Sequence, residues 1–80
     1  MDDNEFQFAL SGAVVSFMLK KAKECGKGPG HALMALESIT VGLIAVAAHE
    51  PDWEDIAREL AKNVQERLSK MRAMQQRALN

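Results

Sequence analysis

Between Gly30 and Pro51 the chain is apolar on nearly every side of a helix. Ala32, Leu33, Met34, Ala35, Leu36, Ile39, Val41, Leu43, Ile44, Val46, Ala47 and Ala48 follow one another with no strand-like alternation. A helix of this kind has no face that water suits, so it must be covered all round by protein or by lipid. The run between His31 and His49 is 17 residues long and includes Glu37, Ser38 and Thr40. A membrane span needs about 20 predominantly apolar residues. The pattern therefore favours a central helix, about 31–49, in a soluble protein over a holin-like membrane hairpin, and no membrane partner is expected.

The segments on either side are helical as well. Asp2, Asp3 and Asn4 offer capping oxygens for a first helix over about 4–24, and Glu5 suits its positive start. Its main apolar stripe is Phe6, Leu10, Ala13, Val14, Phe17 and Met18, with Phe8, Val15 and Ala22 forming a second, narrower row. Two apolar rows imply two neighbours. Gly26-Lys27-Gly28-Pro29-Gly30 breaks the helix. Gly26 is the natural left-handed residue after a helix end. The stretch lacks the spacing and the preceding strand of a phosphate-binding loop, so it reads as an interhelical turn. After Pro51, Asp52 as N-cap and acidic Glu54 and Asp55 open a third helix over about 52–78. Its series is Trp53, Ala57, Leu60, Val64, Arg67, Met71, Met74 and Ala78, with Leu68 beside the intruding Arg67 and Glu66–Lys70 as an outer i,i+4 pair.

Short turns join antiparallel neighbours. The expected fold is all-α, a single domain built as a three-helix antiparallel bundle with a long C-terminal helix. In the first hairpin, register places Gly12 level with Gly42, and a close helix crossing there explains two glycines that each cost about 1 kcal/mol inside a helix. In the second hairpin, the third helix outruns its partner near Lys70 by roughly 12–15 Å. Met71, Met74, Ala78 and Leu79, with Arg72 and Arg77 around them, then have nothing in one chain to cover them, and they are the expected interaction element. The same geometry gathers Lys20, Lys21, Lys23, Lys27, Lys70, Arg72 and Arg77 into a basic pole, and Asp2, Asp3, Glu5, Glu50, Asp52, Glu54 and Asp55 into an acidic one.

A chain of 80 residues buries little, and such domains lean on a staple, a metal or a partner subunit. The one cysteine, Cys25, cannot close an internal disulfide and suits a reducing compartment. No cysteine–histidine cluster suggests a metal, so a second copy is the expected source of stability, most simply as a homodimer. The acidic start lacks the basic residues and apolar core of a secretory signal, and a cytoplasmic location is expected.

Catalytic equipment is sparse. His31 and His49 are about 27 Å apart along one helix, and His49-Glu50 is not a zinc-binding H-E-x-x-H. Glu37 is the one carboxylate on an apolar helix, with the misplaced Arg67 as its candidate counterion. No cofactor, metal or catalytic residue is expected. The reading is a non-catalytic protein–protein interaction or regulatory module, an adaptor or an inhibitor of a larger machine in the manner of phage-encoded inhibitors. The rival is a nucleic-acid-associated protein that contacts phosphate through the basic pole. From Arg58 onward there are six basic and two acidic residues. No aromatic ring interleaves with them to stack on bases, and net charge is −1.

Overall fold

A computed structural model describes Met1 to Leu79, the side chain of Leu79 excepted. It contains three α-helices, α1 (Asp3–Glu24), α2 (Pro29–Ala47) and α3 (Trp53–Leu79), with one 3-10 turn over Glu50–Asp52. The described residues include no strand, so the chain is all-helical.

The helix ends follow from local chemistry. Asp2 caps α1: its extended backbone places the carboxylate to accept from the Glu5 amide at 2.8 Å. At the other end Gly26 adopts φ 71°. The Lys27 amide donates to the Ala22 carbonyl at 2.7 Å and the Gly26 amide to the Lys23 carbonyl at 3.0 Å. This is a Schellman closure, and it gives carbonyls at the helix end donors from beyond the helix. α2 begins two residues earlier than the sequence predicts, because Pro29 at the first helical position forfeits only an amide that has no partner there. It ends two residues earlier, at Ala47, the residue whose carbonyl the Pro51 ring would strike if the helix ran on.

The expected N-cap at Asp52 is not used. Asp52 belongs to the 3-10 turn, whose cap is His49 in an extended conformation with no side-chain hydrogen bond. The turn runs straight into α3. Trp53 secures the corner, its indole Nε1 donating to the Ala48 carbonyl at 3.0 Å. That bond satisfies a carbonyl left free by the end of α2.

Close contacts divide the chain into two units, Met1–Thr40 and Val41 onward, so α2 gives its first half to one and its second half to the other. In the first unit, the last turns of α1 and the first turns of α2 share an apolar groove that contains Met18, Ala22, Ala32 and Ala35. In the second, Val41, Ile44 and Ala45 of α2 meet Trp53 and Ala57 around a smaller one. The partly covered residues are Met18, Ala22, Ala32, Thr40, Ile44, Ala48 and Ile56; none of the described residues is buried. The apolar content that the sequence assigns to a core is therefore largely on the surface of a single chain.

The conformation of Gly26 gives a first test. An alanine there must hold a left-handed backbone, at about 1–2 kcal/mol. Gly28 has no such φ and open space around it. Thermal unfolding followed by circular dichroism should show Gly26→Ala less stable by about 1 kcal/mol and Gly28→Ala unchanged or slightly more stable.

Candidate functional site

A large uncovered apolar surface belongs to α2. Leu33, Met34, Leu36, Ile39, Val41, Leu43 and Val46 are all exposed, Val46 by 90%. Burying a side chain of this size contributes about 1.5–3 kcal/mol. Seven of them together offer on the order of 10 kcal/mol, comparable to the whole stability of a small domain. Among the described residues α2 is the one helix long and apolar enough to cross a membrane, judged by length and composition. Its polar atoms do little to oppose burial. The Thr40 hydroxyl donates to the Leu36 carbonyl at 2.8 Å, and in α1 the Ser11 hydroxyl donates to the Gln7 carbonyl at 2.7 Å. Such back-bonding satisfies a hydroxyl inside its own helix. Glu37 is exposed and carries the one formal charge in α2.

α3 is amphipathic. Ile56, in its first turn, is partly covered, while Leu60, Val64, Leu68, Met71 and Met74 are all exposed, the two methionines by 55% and 68%. Ala78, Arg72 and Arg77 are exposed on the same final stretch. The side chain of Leu79, the remaining member of the predicted interaction element, lies outside the described residues.

The predicted basic residues fall into two groups. Lys20, Lys21, Lys23 and Lys27 surround the end of α1 and its turn, all exposed; Lys70, Arg72 and Arg77 lie in the second half of α3. Two ion pairs form among the described residues, both local: Lys21–Glu24 at 4.0 Å and Arg58–Asp55 at 3.0 Å. Exposed pairs of this kind contribute a few tenths of a kcal/mol. The expected Glu66–Lys70 pair is not one of them. Gly12 and Gly42 each have open surroundings, and a Cβ added at either would meet nothing within 4 Å. Neither glycine is demanded by a close neighbour within the described residues.

Two features were not foreseen from the sequence. One is the rim of the α1–α2 groove, a space of about 310 Å³ whose apolar floor is edged by Lys21, Lys27 and His31. Each of these residues belongs by sequence to a different segment, and only the Gly26 reversal brings them to one groove. The other is the residue that completes the second apolar row of α1. Phe8 and Val15 are exposed, by 83% and 55%, but Ala22, predicted to continue their row, turns into the groove. Leu19 takes its place on the exposed side.

No family model matches the chain, and no curated protein or solved structure matches it either.

Replacing Met71 and Met74 together with serine should leave helical content nearly unchanged, since both side chains are more than half exposed. It should weaken self-association or partner binding several-fold in sedimentation velocity or a pull-down with a defined partner. Unfolding of the double variant would instead place the two methionines in an intramolecular core.

Proposed function

We propose that this protein is a non-catalytic binding module that works as a homo-oligomer, most simply a dimer. In this reading the three helices form an antiparallel bundle that a second copy completes, with the end of α3 left to engage a partner protein as an adaptor or inhibitor would. One observation carries the reading: α2 is apolar all round, yet none of its side chains is buried. Self-association is the simplest source of cover, because every copy brings the same need and the same surface.

The exposed α2 also favours a second reading, insertion into a membrane. Glu37 supports the first reading over the second. It lies near the midpoint of α2, where an ionised carboxylate costs about 3 kcal/mol at the centre of a bilayer. At the edge of a protein interface the same carboxylate keeps its water. The exposed basic residues of α3 suit phosphate contact, but no aromatic residue stands among them to engage bases.

Sedimentation equilibrium at micromolar concentration, without detergent, should show a species at least twice the 8.8 kDa of one chain. Val46→Glu should raise the dissociation constant at least tenfold, since an unpaired carboxylate enters the apolar contact. A stable monomer with a sharp thermal transition would overturn the reading, and recovery only in the membrane fraction would favour the second one. Gel-shift titration with a generic duplex should show no useful binding at physiological salt, where phosphate contacts are strongly screened.

A further inference from the structure

We infer that the outer face of α1 is a self-recognition surface, on which α1 of a second copy lies antiparallel. The inference rests on the self-association reading above and adds, beside the contact that covers α2, a second contact on α1 and its direction. Phe8, Gly12, Val15 and Leu19 recur at spacings of four, three and four residues, the repeat by which helices pack side by side. At about 100° per residue they share one face, turned about 90° from Met18, which lines the groove with α2. Phe8, Val15 and Leu19 are exposed, and Gly12 has nothing within 4 Å of where a Cβ would stand.

Charge sets the occupant and its direction. The face is bounded by Glu5 at one end and Lys23 at the other, with Asp2 and Asp3 behind the first and Lys20 and Lys21 behind the second. A parallel copy would oppose like with like. An antiparallel copy brings Glu5 level with Ala22 and Lys23 of the second chain, Phe8 level with Leu19, and Gly12 level with Val15. The two-fold axis then crosses α1 midway along its length. The gap at Gly12 admits the Val15 side chain, where any larger residue would hold the helices apart. The other helices do not offer this. α2 has no acidic residue in its first turn and no basic residue in its last, so nothing orients a copy on it. The α3 stripe is interrupted by Arg67, which antiparallel self-pairing would bring close to its own counterpart.

Disulfide trapping tests the pairing. In a Cys25→Ser background, Phe8→Cys and Leu19→Cys are purified separately, then oxidised alone and as a mixture. Like positions are about 16 Å apart along the axis in this register, beyond reach of a disulfide, whereas Phe8 and Leu19 of opposite chains are neighbours. The mixture should give covalent dimer several-fold above either variant alone. Equal trapping by each variant alone indicates parallel packing and overturns the inference, as does absence of trapping in a mixture that still sediments as an oligomer. A monomer by sedimentation removes the self-association reading along with it. Surface charge reversal guards against loss of folding: Glu5→Lys and Lys23→Glu should each weaken association by about two- to tenfold. The double reversal should restore it, and failure to restore it contradicts the pairing.

Discussion

Water is a poor neighbour for every side of α2, and the chain itself gives that helix cover only near its two ends. Its exposed side chains leave on the order of 10 kcal/mol of apolar burial unrealised in a single chain. The two flanking connections give it partial cover: near Gly26 the end of α1 lies against its first turns, and near Pro51 the start of α3 lies against its last. Both connections are tightly specified. The first depends on the left-handed Gly26 and the two backbone bonds beside it, the second on Pro51 and the indole bond of Trp53 to the Ala48 carbonyl. Precision is thus concentrated at the corners, while the long faces between them stay open.

Much of this was legible in the sequence, for identifiable reasons. Helix type and number follow from the spacing of apolar residues and from two strong breaks, and neither signal depends on distant contacts. Gly26 was readable because few other residues take a positive φ cheaply. Asp52 was misassigned because its composition suits an N-cap, yet Pro51 also favours a tight 3-10 entry, and the backbone chose the latter. The groove edged by Lys21, Lys27 and His31 was invisible, since it exists only once the chain has reversed. The glycine pair shows a different limit. Gly12 and Gly42 point to close approach, but a sequence does not say whether the approaching backbone belongs to the same chain, and both positions have open space around them.

Charge plays a secondary but orienting part. The ion pairs that form are local and exposed, and they add little to stability. Their larger effect lies in asymmetry. α1 and α3 each begin acidic and end basic, as the helix dipole favours, whereas α2 carries neither sign at its ends. The helix most in need of cover is thus mute about direction, whereas α1 and α3 each carry a charge polarity.

The hydroxyls of Ser11 and Thr40 have a consequence of their own. Each is turned inward onto a carbonyl of its own helix, so neither presents a spare donor to an approaching surface. A seam closed over such helices is dry and carries few directional bonds. It resists separation far more than it resists sliding. Fidelity along a seam of this kind falls to bulk and hollow, a branched side chain against a missing one, much as the teeth of a zip hold alignment without adhesive.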